Sequence, residues 1–342
     1  MARKKAEKAV VTIRDIARDA GVSPSTVSRA LAGSTTVDAA LRAAVEASVK
    51  RLNYRPNPAA QGLVRGRSKT IGVLTQNMTS LFYAEMVVGI EQRLFRTGYF
   101  PLFASGNWNL PNFPDEQEAL DVLLDRRVDA LLVLGGQLPD ERLREVAEKI
   151  PVIAIGRRIA GLEQRCLMVD NYQGAYQAVE YMIRSGHTRI AHIAGIMSQP
   201  DAVARFAGYR QALADAGIEH NEHLIVEGTF QEQGGIAAVE MLLARGVAFS
   251  AIFAANDPMA YGARLALFRR GLRVPQDISL IGFDDQLSSV YTIPPLTTVR
   301  QPAFDMGVTA ADNILKLLAG QQIELPLISS ELVIRESTQA LR

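Results

Sequence analysis

Arg29 lies near the end of the stretch "SPSTVSRAL", four residues after Ser25 and next to Ser28, in a segment whose apolar positions recur at helical spacing. A guanidinium projecting beside two hydroxyls can make forked hydrogen bonds, either to a phosphate or to O6 and N7 of a guanine. A second group of residues follows apolar runs far along the chain. Phe82 and Tyr83 come after the first run, Asn107 and Trp108 after the second, and Arg157 and Arg158 after the fourth. Gln199, Asp201 and Arg205 follow the sixth, and Phe230, Asn256, Asp257 and Asp284 come after later ones. Aromatic faces stack on the C–H faces of a sugar ring, and Asp, Asn and Arg pair with its hydroxyls.

Catalytic chemistry is not indicated. The chain has no phosphate loop with a lysine, no G-x-S-x-G and no G-x-G-x-x-G after its first apolar run. Asp284 and Asp285 are adjacent, yet a structural or ligand role suits them better than acid–base work, so the chain is read as a non-enzyme. The single cysteine, Cys166, excludes an internal disulfide and an all-cysteine metal cluster. His220 and His223 in "HNEH" follow "ADAGIE" and are read as an exposed loop rather than metal ligands. Neither a metal nor a cofactor is expected. No apolar run reaches the roughly 18–20 residues of a membrane span, and the basic start lacks a signal peptide's apolar stretch, which points to a cytoplasmic protein.

The elements that must position these residues fall into a small head and a large body. The net charge of +1 conceals an asymmetry: residues 1–68 hold 13 basic and 5 acidic side chains, giving +8, and the remainder carries −7. A basic head on an acidic body suggests a polyanion as the head's partner. Thr12 can cap a first helix with Ile13, Ile16 and Ala17 facing inward, and Gly21 permits the positive φ that ends it. Ser23 and Pro24 start a second helix whose Val27, Ala30 and Leu31 face inward while Ser25, Ser28 and Arg29 point out. A third helix, "DAALRAAVEASVKRL", is expected to pack Leu41, Val45, Val49 and Leu52 beneath the pair. This is a helix-turn-helix, in which the second helix enters the major groove.

"VTIRDIARDAGVSPSTVSRAL", then "RLNYRPNPAAQGL", "IGVL" and finally "ELVIREST" resemble the LacI/GalR family of bacterial transcription regulators, in order and spacing, over the whole chain. The resemblance implies base reading by Pro24, Ser25 and Arg29, with Pro24 limited to an apolar contact such as a thymine methyl. Thr12, Ser23, Thr26, Ser28 and Asn53 would contact phosphates and set register. It divides the chain into a DNA-binding head at 1–56, a hinge or linker at 57–69 and an effector-binding and dimerisation body at 70–342. In the hinge, Leu63 occupies the position of a minor-groove wedge. Gly62 and Pro58 weaken its helix, so the hinge is expected to order only on DNA. A symmetric pair of heads requires a homodimer and a near-palindromic operator.

From Thr70 onward, nine apolar runs alternate with amphipathic stretches, from "TIGVLTQ" to "ISLIGFDD". Such alternation implies α/β architecture, with parallel sheets covered by helices on both faces, and the length suits two doubly wound lobes of periplasmic-binding-protein type. Lobe 1 is expected at about 70–158 and 290–320, and lobe 2 at about 162–286 and 321–338. Ligands of such sheets lie at the carboxyl ends of strands. The expected effector set is Phe82, Tyr83, Trp108, Arg157, Asp201, Arg205, Phe230, Asn256 and Asp284, of which Phe82, Tyr83, Arg205, Phe230, Asn256 and Asp284 match family pocket positions. Many family members carry an acid after the fourth strand where this chain has Gly156 and Arg157, so a relative's ligand does not transfer directly. The reading is a repressor controlled by a small molecule, a sugar, with a purine or other co-repressor as the alternative effector. The alternative function, a periplasmic-type solute receptor, needs an export signal and has no use for the head.

Overall fold

Local chemistry accounts for each helix of the head. The computed structural model describes residues 11–54, 67–106 and 115–341. Helix α1 is Ile13–Ala20, and at its start the Asp15 carboxylate accepts from the Thr12 backbone N–H at 2.9 Å and from its hydroxyl at 2.7 Å. Gly21, at φ 66°, ends the helix in the left-handed conformation that favours glycine. Helix α2, Pro24–Leu31, is capped by Ser23 Oγ accepting from Thr26 N–H at 3.1 Å. Helix α3, Ala39–Arg51, is capped by Asp38, which accepts from Ala40 N–H at 2.8 Å. Ile16, Ala17, Val27 and Val45 form the buried core, with Ile13, Ala30, Leu31, Val49 and Leu52 packed against it. Leu41 is a correction: it is 43% exposed and outside this core, because the apolar face of α3 is set by Val45, Val49 and Leu52.

The chain divides between Lys69 and Thr70 into two compact units. In the second unit the nine apolar runs are strands β1 Thr70–Thr75, β2 Phe100–Ser105, β3 Ala130–Leu134, β4 Val152–Ile155, β5 Cys166–Val169, β6 Ile190–Ala194, β7 Ile225–Glu227, β8 Ala251–Ala254 and β9 Ser279–Asp284. Three shorter strands follow: β10 Thr297–Arg300, β11 Leu327–Ile328 and β12 Glu331–Val333. They form two six-stranded sheets, ordered β11-β5-β4-β3-β1-β2 and β12-β10-β9-β8-β6-β7. Every pairing is parallel except β10 with β12. The same doubly wound order is therefore written twice, giving two α/β lobes.

Sheet membership corrects the lobe boundaries at three places. β5 pairs with β4 and belongs to lobe 1, although the division placed residues from 162 in lobe 2. β10 pairs with β9 in lobe 2, and β11 pairs with β5 in lobe 1. The physical reason is that each sheet needs its outer strand to cover buried positions such as Ile155 and Phe283, so the chain changes lobe only after completing that strand. It crosses at Asp170, again at Gln301–Pro302, and a third time between Ile328 and Glu331. The first and third passes lie side by side: Asp170 N–H donates to Ile328 O at 2.9 Å and Ser330 Oγ donates to Asp170 O at 3.2 Å.

Helices cover both faces of the sheets: α4 Leu81–Leu94, α5 Glu116–Asp125, α6 Asp140–Ala147 and α11 Ala303–Leu318 on lobe 1, and α7 Asn171–Arg184, α8 Pro200–Asp215, α9 Glu232–Ala244 and α10 Asp257–Arg269 on lobe 2. Helices α9 and α10 touch backbone to backbone. A Cβ on Gly235 would sit 2.0 Å from Met259 O, and one on Gly262 would sit 1.9 Å from Glu232 O. Only glycine allows that approach, which brings the starts of both helices to the same end of the sheet. Among the described residues no helix is long and apolar enough to cross a membrane.

Candidate functional site

The two sheets present their carboxyl ends to a shared cleft of about 510 Å³, at the switch points where strand order reverses. Lobe 1 lines it with Gln76 and Asn77 after β1, and with Phe82 and Tyr83 at the start of α4. Lobe 2 contributes Asp201 and Arg205 from α8, Phe230 before α9, Asn256 before α10, and Asp284 at the end of β9. Seven of the nine effector residues expected from sequence thus share one cleft. Trp108 lies outside the described residues, as do Leu63 and residues 57–66 of the hinge.

Arg157 is not in the cleft. Its guanidinium donates to Gly136 O at 3.2 Å, Leu138 O at 2.9 Å and the Asp140 carboxylate at 2.6 Å, which binds the β3 and β4 loops together. The position after β4 was read correctly as a strand end, but the side chain turns to carbonyls that sequence alone does not place.

Arg205 is buried, with its side chain 4% exposed, and its contacts are all within the wall. Its Nε donates to Asn171 Oδ1 at 2.8 Å, its Nη1 donates to Ala255 O at 2.5 Å, and its guanidinium carbon lies 3.9 Å from the Phe283 ring centroid. Asp284 Oδ1 stands 3.8 Å from Nη1 and accepts from Gln301 Nε2 at 2.7 Å. Burial pushes the Asp284 carboxyl up to about 6, opposed chiefly by the Arg205 charge. Asp201 is likewise raised by burial and pulled down by Arg205, and it accepts from Asn171 Nδ2 at 3.0 Å.

Asn256, not Asp257, caps α10. Its Oδ1 accepts from Met259 N–H at 3.1 Å while its Nδ2 donates to Phe230 O at 2.9 Å, so one amide fixes both the helix and an aromatic. Asp257 sits one residue inside, fully buried, accepting from Gln286 N–H at 2.8 Å, Ser289 Oγ at 2.6 Å and Thr298 Oγ1 at 2.5 Å. Burial, and then repulsion from Asp284, push its carboxyl up to about 8 against those three donors. Phe230 at φ 60° and Asp284 at φ 115° both hold left-handed backbone conformations, strain of the kind that collects at ligand sites. The Phe230 ring lies over Gly195, where a Cβ would come within 2.0 Å of it.

Gln76, Gln286 and Gln301 also line the cleft and were missed. Gln76 donates from Nε2 to Tyr83 Oη at 2.5 Å, and burial raises the Tyr83 hydroxyl above its ordinary value. Gln76 ends the first apolar run, so the strand-end rule applied strictly would have found it. In the head, Pro24, Ser25 and Arg29 are exposed on α2, and Thr12, Ser23 and Asn53 are exposed at or beyond helix ends, while Thr26 and Ser28 are half-buried. Thr26 is partly engaged, its hydroxyl 2.8 Å from Ser23 Oγ.

Residues 12–57 match the family described as bacterial regulatory proteins, lacI family, and residues 179–338 match the periplasmic binding protein-like domain. The transcriptional regulator GalR of Escherichia coli K12 is 39% identical over 309 residues, covering 90% of this chain and 89% of its own. The chain belongs to the LacI family of bacterial regulatory proteins. Among solved structures, the lac repressor dimer bound to operator and the anti-inducer ONPF superposes on this LacI-family chain with a TM-score of 0.84. It is 32% identical and covers 96% of this chain and 99% of its own. The CelR–cellobiose complex superposes with a TM-score of 0.71 at 33% identity, over 96% and 99% of the two chains. This chain is accordingly a DNA-binding transcription regulator with a helix-turn-helix head and an effector-binding body.

Proposed function

We propose that the chain is a homodimeric repressor whose paired heads read a near-palindromic operator and whose affinity for it is set by a sugar held between the lobes. The observation that carries the sugar is the make-up of the cleft. Phe82 on one lobe and Phe230 on the other offer ring faces, while Asp201, Arg205, Asn256 and Asp284 offer fixed donors and acceptors. The CelR relative, solved with cellobiose, supports the same class.

An apolar patch on lobe 2 supports the dimer. Leu287, Tyr291 and Ile293 are 72%, 75% and 89% exposed, and Phe268 of α10 is 75% exposed. A hydrogen bond from Arg264 of α10 to Pro294 O, at 2.9 Å, ties that helix to the same loop. Surfaces of this kind are ordinarily covered, and a self-complementary patch covers itself by two-fold pairing. The sugar acts by differential affinity for the open and closed lobes. Closure moves lobe 1, whose first strand follows the linker directly, and so changes the spacing at which two heads meet two half-sites.

Two measurements test this. A thermal-shift panel of mono- and disaccharides, neutral glycosides and purines should yield a sugar that stabilises the body by about 2.7 kcal/mol at 100 times its Kd. A purine hit with no sugar hit refutes the sugar. Arg29→Ala should weaken operator binding by about 1–3 kcal/mol and relax specificity at one base pair per half-site. Uniform loss on every sequence would instead make Arg29 a phosphate contact.

A further inference from the structure

The loop 286–294, between β9 and β10, is built inside out. Leu287, Val290, Tyr291 and Ile293 are exposed, and its two buried residues, Gln286 and Ser289, are polar. Buried apolar contacts are what ordinarily keep a loop in one shape, so this loop must be held by something else.

The hold is the Asp257 carboxyl. It lies behind the cleft wall, wholly buried, between Asn256 and Pro258, which line the cleft. Its Oδ2 accepts from Gln286 N–H and from the Ser289 hydroxyl, so the loop's two buried residues converge on one oxygen. The Ser289 carbonyl in turn accepts from Leu296 N–H at 2.9 Å and from the Thr292 hydroxyl at 3.0 Å, which hangs the far limb of the loop from the same residue. Asp257 Oδ1 serves Thr298 of β10 and sits over Gly282, where a Cβ would come within 2.2 Å of it.

The anchor does not depend on charge. Burial pushes the Asp257 carboxyl up to about 8, but a proton on Oδ1 can be donated to the Thr298 hydroxyl while Oδ2 still accepts from both loop donors. Ser289 gives its own proton to Asp257, so the Tyr261 hydroxyl, 2.7 Å from Ser289 Oγ, donates to Ser289. Tyr261 lines the cleft. One directed chain thus runs from the cleft through Ser289 to Asp257, beneath the exposed apolar residues.

We infer that Asp257 is a positioning residue for subunit pairing: by holding the loop 286–294 in one shape, it presets the apolar surface on which two copies of the chain meet. This rests on the dimer reading above and deepens it. A loop released from the carboxyl has to be ordered again at each encounter, and that cost is subtracted from the pairing.

The test is fluorescence-detected sedimentation of the full chain over a dilution series. Ser289→Ala removes one loop donor and should raise the subunit dissociation constant about tenfold, as the loss of one buried hydrogen bond does. Asp257→Ala should raise it at least as far, and Ser289→Ala carries the test should that variant fail to fold. Asp257→Asn can place its amide oxygen at Oδ2 and donate to Thr298, so pairing should stay within about twofold of the unaltered chain. Thr298→Val removes the bond at Oδ1 and leaves both loop donors in place, so it too should stay within about twofold. Tyr261→Phe, a change in the cleft lining, should weaken pairing about threefold. Unaltered pairing in Ser289→Ala overturns this inference and leaves the dimer standing. Equal weakening by Ser289→Ala and Thr298→Val also overturns it, since the carboxyl would then serve lobe 2 as a whole rather than the loop. An unaltered chain that stays monomeric at every concentration overturns the dimer reading and this inference with it.

Discussion

The two lobes repeat one strand order but equip the cleft differently. Lobe 1 supplies amides and aromatics: Gln76, Asn77, Phe82 and Tyr83. Lobe 2 supplies the buried charges, with Arg205, Asp201 and Asp284 braced by Asn171, Gln301 and Phe283. Recognition by fixed charge needs a wall that cannot relax, and lobe 2 has one. Stacking tolerates a wall that arrives late, and lobe 1 fits that part. The same topology can therefore hold a pre-set half and a closing half.

The largest way to break this contrast is Arg205→Ala. Removing the buried guanidinium leaves Asp284 and Asp201 uncompensated, which should cost lobe 2 about 3–5 kcal/mol in urea unfolding and abolish the effector response. Operator binding below the melting range should stay within a few-fold. Loss of operator binding under those conditions would show that lobe 2 acts on the head without its ligand. Phe82→Ala in lobe 1 should weaken effector affinity about five- to tenfold by calorimetry while leaving the melting temperature of the body within two degrees, since the ring is half-buried and stacking is worth about 1 kcal/mol. A large melting shift would make Phe82 a packing residue and level the two lobes.

The pH dependence sharpens the contrast. Asp284 and Asp257, pushed up to about 6 and about 8, bind protons more tightly folded than unfolded. Their contribution is fully present below the ordinary value of 3.8 and is lost as pH rises through 6 and then 8. His192, buried against Phe206, Tyr209 and Phe253 and pushed down to about 4, works the other way, and its contribution is lost as pH falls below 6.5. Between about pH 6.5 and 8 Asp257 therefore dominates, and calorimetric melting temperature should decline across that window. Asp257→Asn should flatten the decline, and an unchanged slope would place its cause elsewhere. By contrast, Asp121 in lobe 1 is held below its ordinary value by its hydrogen bond from Gln117 and then by Arg142. The smallest effect belongs to the head, where Ser23→Ala should remove the α2 cap and about 1 kcal/mol from the unfolding of the head alone. If the transition of the body moves with it, the two units do not melt independently.

Much of the fold was legible because buried parallel strands read as apolar runs, and β1 to β9 were all visible that way. β10 was not, because "TTVR" is polar. Thr297 and Thr298 are nonetheless wholly buried, the Thr298 hydroxyl serving Asp257 and the Thr297 hydroxyl accepting from Arg335 N–H. Pairing is invisible in a linear pattern, which is why β5, β10 and β11 were given to the wrong lobes. At the cleft, residues with distinctive chemistry such as Arg205 and Asp284 stood out. Gln301, which follows none of the nine apolar runs, became significant once β9 and β10 were side by side. Arg157 shows the converse: its chemistry suits a ligand, and its neighbours use it for themselves.

The three passes between the lobes have a consequence for inheritance. Neither lobe is a continuous stretch of chain. A fragment ending at Asp170 would lack α11 and β11 from lobe 1, and one beginning there would carry both into lobe 2, where they have no sheet to join. A single proteolytic nick at any pass leaves the halves tethered by two others. The cleft can thus be altered residue by residue, but neither wall can be exchanged as a block, so a new ligand must be reached by substitution within a pair of walls inherited together.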